Sequence, residues 1–354
     1  MSITTTEDLR IDSIKDVENP ATVHQQYPLT DRAAALVQST RDEIHNILTR
    51  SDDRLLVIAG PCSIHDVDAA REYAGHLLKL RQELAQDLLI VMRVYFEKPR
   101  TIVGWKGLIN DPGLDESYNI NEGLRMARSL LLDLNESGIP AGSEFLDIVT
   151  PQYIADLVSW GAIGARTTES QVHRELASGI SCPVGFKNGT DGTVQVAIDA
   201  IRSARHPHVF LSFTQQARPA IFKTTGNQDT HLILRGGREP NYDSDSVNAT
   251  CEALLAAQLQ AAVMIDFSHA NSHKQYQRQV EVCTDVAAQI SAGDSRIMGV
   301  MIESHIKEGR QSAVPGQALE YGKSITDACV NLETTEGMLK TLAEAVRTRR
   351  ADQS

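Results

Sequence analysis

Eight short apolar segments of the chain each end in a reactive or charged side chain. They span residues 55–62, 89–93, 139–144, 162–166, 183–187, 231–235, 263–269 and 299–303, and their last residues are Cys62, Arg93, Glu144, Arg166, Lys187, Arg235, His269 and Glu303. A strand buried in a parallel sheet is apolar throughout, and a charge at its end is costly unless it faces a ligand or a partner. Eight such strands closing into a barrel would place these side chains on one rim, where (β/α)8 barrels have their active sites. The sequence therefore predicts an α/β fold, a (β/α)8 TIM barrel, with a functional site at its C-terminal rim.

Amphipathic helical patterns separate these strands. They are predicted after Asp66 and over residues 124–134, 151–160, 171–178, 193–204, 246–259, 275–290 and 335–348. Alternation of strands and helices is typical of parallel βαβ units, which supports the barrel.

Two regions fall outside this alternation. Residues 1–50 form a predicted N-terminal extension with a helix over 31–50, for which Asp31 is the expected N-cap. Residues 51–354 form the predicted catalytic barrel. Within it, strand-like runs at 209–213 and 219–224 predict a two-stranded β-hairpin, inserted at about 206–230 between the fifth and sixth barrel strands. We expect both additions to serve assembly or regulation, as additions to rigid scaffolds often do.

Composition narrows the class of partner. The net charge of −12 disfavours binding to nucleic acid or to anionic membranes. No apolar run approaches the roughly 18 residues of a membrane span, and the polar, acidic start of the chain lacks the features of a signal peptide. Five cysteines without paired spacing are typical of a reducing compartment. The sequence thus predicts a cytoplasmic protein with no nucleic-acid and no membrane partner.

The cations among the strand ends predict an anionic substrate. Arg93, Arg166, Lys187 and Arg235 end four strands, and Lys98 and Arg100 follow the second. Each could separately pair with a nearby carboxylate, but neutralising all six would need as many convergent acids. Because Arg and Lys bind phosphate and carboxylate, a substrate that carries both groups is favoured.

A second set of side chains has the chemistry of metal ligands. Cys62, His269, Glu303 and Asp327 offer a thiolate, an imidazole and two carboxylates, which suit Mn, Fe, Co or Zn better than Mg or Ca. They come from separate segments, so no spacing motif supports the set. Burial of Cys62 as a core residue and a hydrogen-bonded role for His269 remain the alternatives.

Long blocks of sequence then identify a resemblance. They are GPCSIHD (60–66), RVYFEKPRTIVGWKGLINDP (93–112), SWGAIGARTTESQ (159–171), PVGFKNGTDG (183–192), ILRGG (233–237), IDFSHANS (265–272), MIESH (301–305) and SITDAC (324–329). In these blocks the chain resembles the type I 3-deoxy-D-arabino-heptulosonate 7-phosphate (DAHP) synthases, in their longer, feedback-regulated subclass. The resemblance implies condensation of phosphoenolpyruvate (PEP) with D-erythrose 4-phosphate and water to DAHP and phosphate. That reaction is the first step of the shikimate pathway to chorismate and the aromatic amino acids.

The resemblance also implies roles for individual residues. One divalent metal ion would be held by Cys62, His269, Glu303 and Asp327, with manganese favoured and iron, cobalt or zinc as alternatives. PEP would be bound by Arg93, Lys98, Glu144, Arg166, Lys187 and Arg235. Erythrose 4-phosphate would be bound by Lys98, Pro99, Arg100 and Thr101. The catalytic residues would be Lys98, Cys62 and His269, with Lys98 transferring a proton near the aldehyde oxygen.

Regulation by an aromatic amino acid is a further implication. The implied contacts are Asp8, Phe145, Gln152, Leu176, Ser181, Phe210 and Ser212. Tyrosine-sensitive members of the family have glycine where this chain has Ser212. Since serine leaves less room for a phenol oxygen, phenylalanine is the expected effector, with tyrosine as the alternative. Phe145 and Phe210 could instead be ordinary core aromatics. The resemblance also implies a homodimer or a homotetramer.

Three other functions fit parts of the pattern. Lys187 could be the nucleophile of a Schiff-base aldolase, because such lysines lie at strand ends of barrels. The barrel could be a non-catalytic metabolite sensor, although the complete metal set argues against this. A related synthase could use arabinose 5-phosphate, but the KPRT motif and the long N-terminal extension favour the tetrose substrate.

Overall fold

A closed barrel of eight parallel strands forms the centre of the molecule. The computed structural model describes residues 6–100, 102–314 and 317–352. The strands are β1 (Leu55–Gly60), β2 (Leu88–Arg93), β3 (Ala141–Glu144), β4 (Trp160–Ile163), β5 (Val184–Lys187), β6 (Val209–Phe213), β7 (Pro219–Lys223), β8 (Thr230–Leu234), β9 (Val263–Asp266) and β10 (Ile297–Glu303). The barrel order is β1-β10-β9-β8-β5-β4-β3-β2, and β6 and β7 pair separately. The predicted (β/α)8 barrel and its inserted two-stranded hairpin are both confirmed.

Helices connect the strands in the predicted alternation. They are α1 (Pro20–Gln26), α2 (Asp31–Leu48), α3 (Val67–Glu83), α4 (Ile120–Ser137), α5 (Pro151–Ile154), α6 (Gln171–Gly179), α7 (Gln195–Ala204), α8 (Ser244–Ala256), α9 (Gln279–Ser291) and α10 (Leu332–Asp352). Among the described helices, none is both long and apolar enough to cross a membrane.

Two helix predictions need correction. The helix expected over 151–160 ends at Ile154, passes into a 3₁₀ turn and gives way to β4, which begins at Trp160. The N-cap of α2 is Thr30, whose Oγ1 accepts a hydrogen bond from the Ala33 amide at 3.2 Å. Asp31 instead occupies the first turn of α2, where a carboxylate interacts favourably with the helix dipole.

Side chains alternate between the two faces of the barrel strands. In β1, Leu56 and Ile58 belong to a buried cluster inside the barrel, whereas Leu55 and Val57 belong to the cluster between barrel and helices. Because both faces are buried, the strands are apolar throughout, as expected of a parallel sheet. The charged side chains of the barrel strands (Arg93, Glu144, Lys187, Asp266 and Glu303) all lie at their C-terminal ends.

Helix α2 covers the N-terminal end of this barrel. Ile44, Ile47 and Leu48 join the buried cluster inside the barrel. Arg41 donates to the carbonyl oxygen of Val158 at 2.7 Å, just before β4, and Arg50 donates to that of Ala261 at 2.8 Å, just before β9. The extension thus contributes to the barrel's hydrophobic core. Its regulatory or assembly role stays a prediction, as does the boundary at residue 50.

The inserted hairpin has two unlike faces. Its strands pair antiparallel, with Leu211 opposite Ile221 and Phe210 opposite Phe222. Leu211 and Ile221 are 79% and 73% exposed, whereas Phe210 and Phe222 are half-buried and their rings contact edge to face. One face therefore lies against the molecule, and the other presents apolar side chains outward.

Candidate active site

The charged strand ends converge on one cavity at the C-terminal rim of the barrel. It has a volume of about 180 Å³. Its lining includes the predicted site residues Arg93, Lys98, Pro99, Arg100, Glu144, Arg166, Lys187, Arg235, His269 and Asp327. Thr101, predicted to bind the tetrose phosphate, lies outside the described residues. The structure thus brings together cations that are as many as 142 positions apart in the sequence (235 − 93).

Arg93 is held rigidly at the base of this cavity. It is 1% exposed, and its Nη2 donates to Glu303 Oε1 at 3.0 Å. Its Nε donates to the carbonyl oxygen of Pro61 at 3.1 Å, and its guanidinium carbon lies 3.7 Å from the centre of the Tyr95 ring. A Cβ at Gly60 would lie 2.6 Å from the Arg93 carbonyl oxygen. Glycine is therefore needed where β1 and β2 end side by side.

A buried carboxylate links two of the predicted site residues. Asp266 is fully buried, and its Oδ2 lies 2.9 Å from Lys187 Nζ and 2.8 Å from His269 Nδ1. Burial alone would raise the pKa of Asp266, but His269 and Lys187 outweigh it and hold this pKa well below its usual range. The same contacts orient the lysine and the imidazole.

Three of the four predicted metal ligands form a compact group. One donor atom each from Cys62, Glu303 and Asp327 lies within 4.8 Å of the other two. His269 stands beside this group, with Nε2 at 3.9 Å from Glu303 Oε1. Its Nδ1 faces Asp266, which is the arrangement that orients metal-binding histidines through their other nitrogen. His269 also has φ of 57°, an uncommon conformation for a residue other than glycine. The donor set therefore fits a divalent transition metal ion.

Lys98 lies directly against the sulfur of this group. Its Nζ donates to Cys62 Sγ at 3.2 Å and to the Cys62 carbonyl oxygen at 3.1 Å. Burial, reinforced by Glu303, raises the pKa of the Cys62 thiol to about 11. Burial would lower the pKa of Lys98, but its interactions with Cys62 and with the carboxylates of Glu303 and Glu144 outweigh burial and raise this pKa. Lys98 is therefore an ammonium at neutral pH, placed between the metal-ligand group and the open cavity.

Arg166 and Arg235 bring like charges to the opposite side of the cavity. Burial and the neighbouring charge of Arg166 lower the pKa of Arg235, while Asp266 partly opposes them. The Arg235 guanidinium donates to the Gly236 carbonyl oxygen at a long 3.4 Å. An anion bound between the two side chains would relieve their repulsion.

Sequence reasoning missed three residues of this site. Asp266 is the last residue of β9 and is fully buried, and a carboxylate at the end of an apolar run is itself a signal of a paired cation. Tyr95 stacks on Arg93, and Lys274 lines the cavity from the loop after β9. For Tyr95 and Lys274 no local pattern in the sequence indicates the role.

A second, larger groove of about 760 Å³ lies beneath the hairpin. Five of the predicted effector contacts line it, namely Gln152, Leu176, Ser181, Phe210 and Ser212. Two do not. Phe145 is 1% exposed in the core, where a Cβ at Gly161 would lie 2.5 Å from its ring. Asp8 is exposed in the segment before α1.

Comparisons with known proteins agree with this geometry. Residues 25–340 match the DAHP synthetase I family. The Phe-sensitive phospho-2-dehydro-3-deoxyheptonate aldolase of Escherichia coli K12 is 62% identical over 344 residues, covering 97% of this chain and 98% of that protein. The Trp-sensitive enzyme of the same strain is 54% identical, covering 97% of this chain and 99% of that protein.

A solved structure is also similar. The phospho-2-dehydro-3-deoxyheptonate aldolase of Francisella tularensis SCHU S4 superposes with a TM-score of 0.94 at 52% identity, covering 96% of this chain and 99% of that one. With the family matched over most of its length and close relatives matched nearly end to end, this chain belongs to the DAHP synthetase I family.

Proposed function

We propose that this protein is a metal-dependent DAHP synthase, a transferase that condenses PEP with D-erythrose 4-phosphate and water and releases phosphate. The observation that carries the proposal is one cavity in which seven cations lie beside a metal-ligand group. The seven are Arg93, Lys98, Arg100, Arg166, Lys187, Arg235 and Lys274. The names of the relatives give the same activity.

PEP is assigned to the cationic side of the cavity. It carries a phosphate and a carboxylate, and Arg166 and Arg235 bring adjacent positive charges that such groups would neutralise. Lys187 donates to Asp266 at 2.9 Å, and the buried Glu144 lines the same cavity. Fixed in this way, PEP would present its C3 to the second substrate, and holding two reactants in register lowers the barrier considerably.

Erythrose 4-phosphate is assigned to the segment that enters the cavity after β2. Pro99 and Arg100 line the cavity, and the Arg100 Nε donates to the Trp105 carbonyl oxygen at 2.7 Å. Together with Lys98 they form the described part of the predicted phosphate clamp. The proposed binding would bring the aldehyde end of the sugar toward Cys62 and Asp327.

The reaction then follows from these positions. PEP C3 attacks the aldehyde carbon, and the Lys98 ammonium supplies the proton that converts the aldehyde oxygen to a hydroxyl. Water adds to PEP C2 and gives up a proton, and the tetrahedral intermediate loses phosphate by cleavage of the C–O bond. A divalent ion held by Cys62, His269, Glu303 and Asp327 would supply Lewis-acid polarisation of the aldehyde. Manganese is the favoured ion, with iron, cobalt or zinc as alternatives.

A Schiff-base reaction at Lys187 is disfavoured by the same geometry. The amine donates to Asp266 at 2.9 Å, inside the barrel. An amine engaged by a buried carboxylate is not available to attack a carbonyl carbon.

Feedback inhibition is assigned to the groove beneath the hairpin. Its half-buried Phe210 offers an aromatic wall, and Ser212, Gln152 and Ser181 offer polar groups. The Phe-sensitive relative and the serine at position 212 both support phenylalanine as the effector, with tyrosine as the alternative. Assembly as a homodimer or a homotetramer is proposed for the exposed apolar face that carries Leu211 and Ile221.

Steady-state kinetics test the whole proposal. PEP consumption and phosphate release would be followed with erythrose 4-phosphate, first in chelator and then with Mn²⁺ restored, and with phenylalanine or tyrosine added. We expect turnover only with the metal ion, and inhibition by phenylalanine. Turnover that survives exhaustive chelation, or phosphate release without the tetrose, would contradict the proposal. Inhibition by tyrosine alone would leave the activity standing and overturn the effector assignment.

A further inference from the structure

Three asparagines in the loops that follow β5, β8 and β9 are connected by hydrogen bonds. They are Asn188, Asn241 and Asn271. Asn241 Nδ2 donates to Asn188 Oδ1 at 3.3 Å, and the Asn241 backbone amide donates to Asn271 Oδ1 at 2.8 Å. Asn188 and Asn271 are 0% and 1% exposed, and Asn241 is half-buried. We refer to these three residues as the asparagine chain.

The asparagine chain holds the backbone that carries Arg235. Asn188 Oδ1 accepts from the Arg235 backbone amide at 2.8 Å, and Asn188 Nδ2 donates to the Gly236 carbonyl oxygen at 2.9 Å. Asn241 Oδ1 accepts from the Gly236 backbone amide at 2.7 Å. Gly236 has φ of 76°, and a Cβ there would lie 2.7 Å from the Asn271 backbone nitrogen. Glycine is therefore needed for this loop to pack against Asn271.

The same contacts reach the guanidinium group of Arg235. Its Nη1 donates to the Gly236 carbonyl oxygen at 3.4 Å, and this is the oxygen that Asn188 Nδ2 also holds. Asn188 thus fixes an atom on which the cationic end of Arg235 rests.

The other end of the asparagine chain reaches β9. Asn271 Nδ2 donates to the carbonyl oxygen of Asp266 at 2.8 Å and to that of Leu234 at 3.2 Å. The side chain of Asp266 in turn accepts from Lys187, which directly precedes Asn188. Side-chain amides therefore tie together the three strand ends that carry Lys187, Arg235 and Asp266.

We propose that the asparagine chain sets the positions of Arg235 and Lys187 for PEP, so that Asn188, Asn241 and Asn271 are positioning residues of the reaction. This inference rests on the proposed function. The described lining of the active-site cavity includes Lys187 and Arg235 but none of the three asparagines, which would therefore act through the two cations.

Amides suit this role for a chemical reason. An amide both donates and accepts, so one side chain can hold an N–H and a carbonyl group of the same loop. It does so without charge, whereas a carboxylate in the same place would compete with PEP for the cations. Buried hydrogen bonds that connect to one another also restrain their members cooperatively.

Equilibrium binding of PEP to the full-length protein in Mn²⁺, without the tetrose, tests this inference by calorimetry. Asn188→Leu removes the contacts to the Arg235 loop at similar volume and should raise the dissociation constant for PEP about 30-fold, because small misplacements of binding groups are costly. Asn241→Ala, at a half-buried position, should raise it about tenfold. The double variant should lose less than the product of the two effects, since both act on one loop. If Asn188→Leu does not fold, Asn241→Ala decides the matter alone.

Asn135→Leu is the matched control. Asn135 is also 0% exposed, and its Nδ2 donates to the carbonyl oxygens of Leu131 at 2.8 Å and Leu157 at 2.9 Å, away from the cavity. Its substitution should lower stability in urea but leave the dissociation constant for PEP within about twofold of wild type. In steady-state assays, the KM for PEP should rise in the asparagine-chain variants, while the KM for erythrose 4-phosphate should stay unchanged.

Unchanged PEP binding in Asn241→Ala would overturn the inference. Equal weakening in Asn135→Leu, or an equal rise of KM for both substrates, would assign the effect to general loosening of the fold and would overturn it as well. Failure of the proposed function has a different signature. Wild-type protein that binds PEP but releases no phosphate with the tetrose would contradict that function, whereas weaker PEP binding in the variants would still support the positioning role.

Discussion

The active-site cavity and the groove beneath the hairpin are built in opposite ways. In the first, buried ion pairs fix the side chains before any ligand arrives, as Arg93 with Glu303 and Lys187 with Asp266 show. In the second, a space about four times larger is bounded by half-buried residues of two otherwise exposed strands. The first design preorganises charges for chemistry. The second design lets the residues of the groove wall vary. Two relatives of the same family are accordingly named for different effectors, phenylalanine and tryptophan.

The largest effect is expected from breaking a pair in the rigid cavity. Lys187→Met leaves Asp266 buried without its lysine, which should cost about 3–5 kcal/mol of the free energy of unfolding and abolish measurable turnover. Urea unfolding followed by circular dichroism gives the stability. The double variant Lys187→Met, Asp266→Asn should recover most of the stability and none of the activity. Equal stability of the single variant and the wild type would show that the pair does not hold the cavity.

Removing one cation from the anion-binding side should cost less. Arg166→Gln removes charge-assisted bonds to PEP, each worth about 1.5–3 kcal/mol, so kcat/KM for PEP should fall roughly 100-fold. The free energy of unfolding should change little, because Arg166 lines the open cavity. Arg202→Gln on the outside of α7 is the matched control and should behave as wild type. An unchanged kcat/KM in Arg166→Gln would remove this residue from the proposed PEP site.

Metal binding should depend on pH through one thiol. The pKa of Cys62 is about 11, so the ion must displace a proton from its sulfur across the neutral range. Affinity for Mn²⁺ should therefore rise about tenfold per pH unit between about pH 7.5 and 9. Calorimetric titration in buffers of different ionisation enthalpy measures the release of one proton. Cys62→Ala should lose this slope, and phenylalanine binding at the groove should show none.

The smallest effect is expected in the groove. Ser212→Gly opens space beside Phe210, so inhibition should shift from phenylalanine toward tyrosine by about tenfold, or ~1.4 kcal/mol. The ratio of the two inhibition constants measures this, while kcat without effector should remain unchanged. Ser212→Ala removes the hydroxyl but keeps the methyl-sized volume and should shift the ratio less. A larger shift in Ser212→Ala would mean that polarity rather than space decides the effector.

The barrel and the cationic half of its active site could be predicted because they rest on local pattern. An apolar run that stops at a charge is visible in the sequence, as at Arg93 and Lys187, and parallel strands bring such ends together. The short helix α1 was not predicted, although Asn19 before Pro20 is a typical helix start and its Oδ1 accepts from the Thr22 amide at 2.8 Å.

Other features depend on distant parts of the chain. Trp160 begins β4 because its side chain packs inside the barrel. No residue near Trp160 in the sequence marks the end of the helix predicted over 151–160. The stacking of Tyr95 on Arg93 follows from the path of the chain after β2. Phe145 lies in the core rather than in the groove because its ring packs against Gly161. This contact forms between residues of separate segments, so no rule of sequence spacing predicts it.

The position of α2 bears on how this enzyme can be shortened. Ile44, Ile47 and Leu48 complete the hydrophobic interior at the N-terminal end of the strands. A polypeptide restricted to residues 51–354 would expose that interior to solvent and would be expected to aggregate rather than to yield an unregulated minimal enzyme. The proposed feedback inhibition is therefore better tested by substitutions in the groove than by deletion of the N-terminal extension.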